Sequence, residues 1–426
     1  MRPLHRLAGA ILLLAVAAPA AAQEPVGDFA GPLVEADRIT ADRLRRTIAP
    51  DDPWAPPERR IGALILSSSI DVTLRGTSNA AQSGGGGDAV SVVVEPEVGL
   101  RTDWSRHGVE VNLRGAYEAF ADGAAADEVS AGIDGALRLD IEDLWQADFT
   151  TAYDYGQQEP SDPDTPDGLD GRPGIHTVSA GAQLSGGPGR LRPTLAADVV
   201  RTVFADGTSG GLPVDQGDRD NTVASARLRL GHEAGTLTPF VEAEADRRVY
   251  DRPTDSNGFA RASTGGALRA GIVLDRGPVL EGELAIGVAG VAFDDPAFDA
   301  IRTLTVDGSL VWAPTRLHTV TANVATALNP STDVATSGSV DVSGDIGFEY
   351  AWTPQLTVGW RAGYGTERFE GVGTVEHRGS LDVEGRWRLS PHLELTALYT
   401  HEFLSSPTAG RSYEADTVQV GVRYEH

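Results

Sequence analysis

EADTVQVGVRYEH, residues 414–426, sets Val418, Val420, Val422 and Tyr424 at alternate positions against Gln419, Gly421, Arg423 and Glu425. A period of two belongs to a strand with one apolar and one polar face. In a soluble sheet such a closing strand would be an edge with a row of unpaired backbone groups. In lipid every unpaired N–H or C=O costs several kcal/mol, so a membrane-spanning sheet has to close on itself. The tail is then expected to pair with the first strand of the same sheet.

The same alternation runs back through the chain to Ile61. Val340, Val342, Gly344, Ile346, Phe348 and Tyr350 oppose Asp341, Ser343, Asp345, Gly347 and Glu349. Leu381, Val383, Gly385, Trp387 and Leu389 oppose Asp382, Glu384, Arg386 and Arg388, and Val109, Val111, Leu113 and Tyr117 oppose Glu110, Asn112, Arg114 and Glu118. Eighteen such runs can be marked, most of them 11 to 16 residues long. Globular strands average about five or six residues, whereas a tilted strand needs about ten to cross a bilayer. Connections after even-numbered runs are short (WSR, DLW, GGPG, EAGT, RG, PT, TP, SP). Those after odd-numbered runs are usually longer and more polar, as in SNAAQSGGGGD and DRPTDSNG. This is the asymmetry of a transmembrane barrel, with short periplasmic turns and longer outer loops. The pattern predicts an all-β, antiparallel transmembrane β-barrel of 18 strands, with 16 as the alternative count. A soluble sandwich fits strands of this length and number badly, and no repeat of propeller, solenoid or tandem-domain length is present.

Composition narrows the function. The formal charge is −26 over 426 residues, there is no Cys, and all 35 basic side chains are Arg. Such an acidic chain is not expected to bind nucleic acid, and disulfides and thiolate chemistry are excluded. Residues 1–22 have a basic start, an apolar run and small residues at Ala20 and Ala22, the plan of a cleaved signal peptide. Residues 23–60, rich in Pro and charge, read as a flexible periplasmic leader, and 61–426 as the barrel. No later segment is apolar for 18 residues, so strands rather than helices are expected to cross the membrane.

Alternation also assigns an inner face. Glu242, Glu244, Asp246 and Arg248 fall on the polar side of one run. Asp382, Glu384, Arg386 and Arg388 fall on that of another, with Arg361, Glu394 and Arg423 on neighbouring runs. These are the candidate pore-lining residues. Rows mixing Arg with carboxylate suit either a field across a water-filled pore or a salt-bridged wall. The acidic loop 154–170 is dense in Asp but matches no calcium-loop spacing, so no metal site is assigned. No nucleophile elbow, zinc motif or phosphate loop occurs, so no catalytic residue, enzyme activity or cofactor is nominated.

Some segments carry a resemblance. Asp52-Pro53-Trp54-Ala55-Pro56, Asn79, Pro96-Glu97 and the turn Asp103-Trp104-Ser105-Arg106-His107 are similar to the opening of an alphaproteobacterial outer-membrane family, putative β-barrel porin 2. The final hairpin, LSPHLELTALYTHEFLSSP to the end, resembles that family too, and the likeness extends over residues 50–426. Ser78-Asn79 stands where the family often has Asp-Asn. Gln419, Gly421 and Tyr424 match the terminal signal that barrels present to their assembly machinery, with His426 in place of the habitual Phe. The resemblance implies an outer-membrane barrel of a Gram-negative bacterium and little about activity.

The expected function is a porin-like channel for passive passage of hydrophilic solutes. An exit port for exopolysaccharide, or a plugged structural or adhesive surface barrel, are the alternatives. Expected partners are outer-membrane lipid and lipopolysaccharide, the barrel assembly machinery through the C-terminal strand, and either periplasmic export partners or further copies in a homo-oligomer.

Overall fold

A computed structural model describes residues 54, 56, 59–121, 125–142, 144–158, 168–331 and 336–426. The signal segment and nearly all of the leader lie outside the described residues. Eighteen long strands make one sheet. The first nine are β1 (Leu64–Thr77), β2 (Ala89–Thr102), β3 (Gly108–Phe120), β4 (Glu128–Ile141), β5 (Trp145–Gln157), β6 (Gly174–Gly186), β7 (Leu191–Phe204), β8 (Asn221–His232) and β9 (Leu237–Tyr250). The second nine are β10 (Ser263–Asp275), β11 (Leu280–Phe293), β12 (Ile301–Thr315), β13 (His318–Pro330), β14 (Gly338–Ala351), β15 (Leu356–Glu370), β16 (Val375–Ser390), β17 (Leu393–Ser405) and β18 (Tyr413–Glu425). Their lengths, 12 to 16 residues, are those of tilted membrane-crossing strands.

Each strand pairs antiparallel with the next, and β1 pairs with β18 from Ser69↔Glu425 to Thr77↔Thr417, closing the barrel. His426 extends the seam. Its N–H donates to the Ser68 carbonyl at 2.8 Å, and the Ser68 N–H donates back at 3.1 Å. The residue that departs from the family habit therefore still completes the ladder. β18 does not reach the start of β1. There the chain folds back on itself, pairing Arg59–Ile61 with Leu64–Leu66 through Gly62, whose φ of +65° favours glycine. The first barrel strand thus begins at Leu64 rather than Ile61, and Arg59 and Arg60 belong to this small hairpin rather than to the leader. A second hairpin, Gly207–Ser209 with Leu212–Val214, stiffens the loop between β7 and β8.

The short-turn end holds one of the segments that carry the family resemblance, the turn Asp103-Trp104-Ser105-Arg106-His107. His107 adopts a φ of +66°, its N–H donates to Asp140 Oδ2 at 3.0 Å, and its Nδ1 lies 3.1 Å from the Asp140 N–H. Asp103 forms an ion pair with Arg60. The turn is therefore fastened both to the next turn and to the hairpin that precedes the barrel.

The two faces of the sheet differ as the alternation requires. Val418, Val420, Val422 and Tyr424, and likewise Leu268, Ile286, Val288 and Leu304, are exposed on one face. A contiguous apolar surface of this extent marks a membrane-facing belt. Arg and carboxylate side chains occupy the other face. That face points toward the barrel axis, because its side chains meet partners two and three strands away: Arg229 on β8 reaches Glu283 on β11 at 2.7 and 2.9 Å. On the convex face side chains diverge, and a span there, as from Arg247 on β9 to Asp294 beyond β11, bridges two strands at the loop end rather than three.

Candidate functional site

All eleven sequence-nominated residues lie on the axis-facing side and fall into three groups. On β9, Glu242 accepts from Arg229 on β8 at 2.7 Å and pairs with Arg269 on β10 at 3.1 Å. Glu244 pairs with Arg269 at 2.6 Å, Arg248 donates to Asn221 Oδ1 at 3.1 Å, and Asp246 sits against Gly265, where a Cβ would collide with its carboxylate. On β14–β17, Arg361 pairs with Asp345 at 2.6 Å, Arg386 bridges Glu349 at 3.0 Å and Glu384 at 3.4 Å, and Arg388 pairs with Glu394 at 3.2 Å. Asp382 accepts from the Thr400 hydroxyl at 2.7 Å. At the seam, Arg423 faces Asp71 at 3.3 Å, Glu97 at 3.5 Å and Glu425 at 2.8 Å.

Sequence reasoning left further charges of this face unnominated. Arg229, Arg269, Glu283 and Asp307 complete the β9 group, with Arg269 3.1 Å from Asp307. Arg378 joins Asp341 and Glu367 across β14–β16. Arg114, Asp134 and Asp154 make a further group on β3–β5. Some of them, Arg269 and Arg229 among them, lie on runs with few other charges, while Arg378, Asp341 and Arg114 lie on runs whose polar side is charged. Only the register assembles them.

Several of these pairs share one construction. Arg114, Gly132 and Asp154 are direct neighbours across β3, β4 and β5. A Cβ on Gly132 would lie 2.8 Å from the Arg114 guanidinium and 2.8 Å from Asp154. The bare glycine lets the arginine cross a whole strand to its carboxylate. Arg378 passes Gly365 in the same way to reach Asp341, and Arg269 passes Gly287 to reach Asp307.

Access to water divides the wall. Around β3–β5 the side chains of Arg114 and Asp154 are 43% and 42% exposed, and Arg138 is 55% exposed. Glu95, Glu97 and Glu110 are exposed as well. Around β8–β16 the central carboxylates are covered, the Glu242 side chain at 3% exposure and those of Asp341 and Glu367 at 7%, while Glu244, Glu283 and Asp307 beside them stay half-buried. Arg229 also stacks on the Phe240 ring, 4.0 Å from its centroid, which helps seal that side.

At the long-loop end the connections are fastened to one another. Arg261, almost fully buried, donates to the Ser331 and Thr336 carbonyls at 3.1 Å each and to Asp255 at 2.9 Å, with its guanidinium 4.4 Å from the Phe298 ring centroid. It ties the loops after β9, β11 and β13 together. Gln158 donates to Gln216 at 2.8 Å and Arg219 donates to the same oxygen at 2.7 Å, joining the loops after β5 and β7. Carboxylates there cap backbone: the N–H groups of Gly211 and Gly210 hold the Asp170 carboxyl below the usual range, and those of Ala297 and Ala260 do the same for Asp295. The Gly217 N–H, then Arg252, lowers Asp215. Part of the acidic stretch 154–170 lies outside the described residues. Among the described residues no three His, Asp or Glu gather as a metal site.

The sequence profile of the family described as putative beta-barrel porin 2 matches residues 52–426. No curated protein matches in sequence. Among solved structures, Acinetobacter baumannii OccAB4 aligns with 88% of this chain and 100% of its own at 11% identity and a TM-score of 0.45. The outer membrane protein opdK of Pseudomonas aeruginosa aligns with 85% of this chain and 98% of its own, at 12% identity and a TM-score of 0.43. The FrpB iron transporter of Neisseria meningitidis aligns with 85% and 82%, at 9% identity and a TM-score of 0.47. Likeness at this level carries no argument about what crosses the barrel.

Proposed function

From the premise that this chain belongs to the putative beta-barrel porin 2 family and is an outer-membrane barrel, we propose that it is a porin-like channel for passive passage of hydrophilic solutes, favouring cations and neutral solutes over anions. The observation that carries this reading is the water-exposed part of the wall. There Glu95, Glu97, Glu110, Asp134 and Asp154 outnumber Arg101, Arg114 and Arg138. Charges that face water in a narrow lumen with low-dielectric walls focus a field on passing ions. Glu242 and the other covered carboxylates have their charge balanced by arginine at contact distance, so they contribute little to that field.

The test is conductance of refolded protein in a planar bilayer, with the reversal potential read under a salt gradient. Steady openings with a cation-selective reversal potential are expected. Replacing Glu95, Glu97 and Glu110 together by Gln moves that potential toward zero, while Glu242→Gln leaves it nearly unchanged. No conductance from correctly folded barrel would overturn the open channel and turn attention to a closed structural barrel or a partner-dependent export port. An unchanged reversal potential in the triple variant would overturn the assignment of the selective surface.

A further inference from the structure

The outer surface of β9–β12 combines two features. It is indented by a furrow of about 720 Å³, with Val241, Leu268, Ala270, Ile286, Leu304 and Val306 among its lining residues. Leu304, Leu268 and Ile286 stand out on its flanks, at 75%, 62% and 62% exposure. The same four strands carry two outward arginines near their long-loop ends, Arg247 on β9 and Arg302 on β12.

The register fixes how these features meet. Arg302 shares a row with Gly290, Gly266 and Ala245, while Arg247 lies one outward position nearer the loops, beside Thr264. The surface between the arginines is therefore floored by glycine, alanine and threonine. Three inter-strand spacings separate the two strands, about 14 Å, a gap that two arginine side chains can narrow from both sides. The Arg302 stem already leans over this floor: a Cβ on Gly290 would sit 3.4 Å from Arg302 Cγ. In the next outward rows toward the membrane centre come Leu268, Val288 and Leu304, then Val241, Ala270, Ile286 and Val306. Shelf and furrow are continuous.

The charges of the two arginines are differently committed. Arg247 holds Asp294 with two hydrogen bonds of 2.7 and 2.6 Å. Asp295 is turned to the Ala260 and Ala297 N–H groups. Arg302 is exposed, and no carboxylate among the described residues, Asp299 of the adjoining loop included, lies within ion-pair distance of it. An uncompensated guanidinium at the rim of an apolar belt is costly to leave facing hydrocarbon and well matched to a phosphate, which it can bind through two N–H groups.

We propose that this face of β9–β12 is a binding site for a phosphorylated, acylated lipid of the outer leaflet. Its phosphate lies on the small-residue shelf against Arg302, with Arg247 as the second contact, and an acyl chain fills the furrow below. Long-loop-end arginine, bare shelf and apolar furrow then form one site with a polar and an apolar compartment in the order that a leaflet lipid presents them.

The experiment is native mass spectrometry of the full refolded chain in detergent, titrated with bis-phosphorylated lipid A, with the same lipid after phosphate removal, and with phosphatidylcholine. Wild-type protein is expected to retain lipid A and to lose it about tenfold more readily when the phosphates are absent. Arg302→Gln combined with Arg247→Gln is expected to reproduce that loss with lipid A itself. Ala270→Trp, which fills the furrow, weakens retention of both acylated forms, while Arg368→Gln, an outward arginine on β15, changes nothing. Equal retention of phosphorylated and phosphate-free lipid by the wild type would overturn the proposal without relying on any variant. Loss of an oligomer in Ala270→Trp with lipid retention intact would also overturn it, by showing that the furrow seats a second copy of the chain.

Discussion

The wall at β3–β5 and the wall at β8–β12 are built from the same residue types on the same kind of strand, yet they hold charge differently. At β3–β5, Arg114 lies between Asp134 and Asp154 with water on both. At β8–β12, Arg229 and Arg269 lie over Glu242, which is nearly sealed, and share Glu244, Glu283 and Asp307 with it. Exposed pairs exchange hydration for a Coulomb gain of similar size and contribute at most about 1 kcal/mol. Pairs under cover have given up hydration, so either partner alone is a liability. Charge count alone therefore misjudges both the stability and the selectivity of an axis-facing wall.

The largest expected effect tests this difference directly. Arg269→Met should destabilise the barrel by about 3 kcal/mol, because it leaves the sealed Glu242 with Arg229 alone and takes the shared arginine from Glu244 and Asp307. Arg114→Met should cost within about 1 kcal/mol. Urea unfolding of lipid-refolded protein, followed by tryptophan fluorescence, measures both, and equal losses would erase the distinction between the walls.

A middling effect is expected at the glycines that the arginines cross. At Gly287 an added Cβ would run into the Leu268 carbonyl, backbone that moves only if the strand pairing shifts. At Gly132 it would meet the guanidinium end of Arg114, which can swing into water. Gly287→Ala is thus expected to cost about 2 kcal/mol, and Gly132→Ala under about 1 kcal/mol while separating Arg114 from Asp154. The same unfolding series ranks them, and the reverse order would contradict the account of why glycine stands there.

The smallest effect concerns pH and the outer loops, where charge is exposed as it is at β3–β5. Asp170, Asp215 and Asp295 have carboxyls held below their unfolded value, so their caps contribute fully above the unfolded pKa of about 3.9 and are lost as pH falls below it through the folded values. Loop order should be constant from neutral pH to about pH 4 and should loosen only below that. Hydrogen exchange at the Gly210, Gly211 and Gly217 amides, corrected for intrinsic pH dependence, reports it. Loosening between pH 5 and 7 would assign the loops' order to other groups.

Much of this barrel is legible in the sequence. Alternation and the parity of long and short connections located all eighteen strands to within a few residues, and the ladder from Ser68 to His426 is the closure that the tail calls for. Parity also put Glu242, Asp382 and Arg423 on the axis-facing side. It did not separate Glu242, covered by two arginines, from Glu97, which water reaches. Nor did it nominate Arg269 or Arg114, each the lone arginine on the polar side of its run.

The sequence by itself determined which way each side chain points and that the sheet must close, because a strand's period is two and lipid tolerates no unpaired backbone. The tertiary structure decided which charges meet. Strands far apart in the chain are brought into rows by register, and a glycine in the intervening strand decides whether an arginine can cross it. Burial under a neighbour from another strand then decides whether a charge belongs to the wall or to the water beside it.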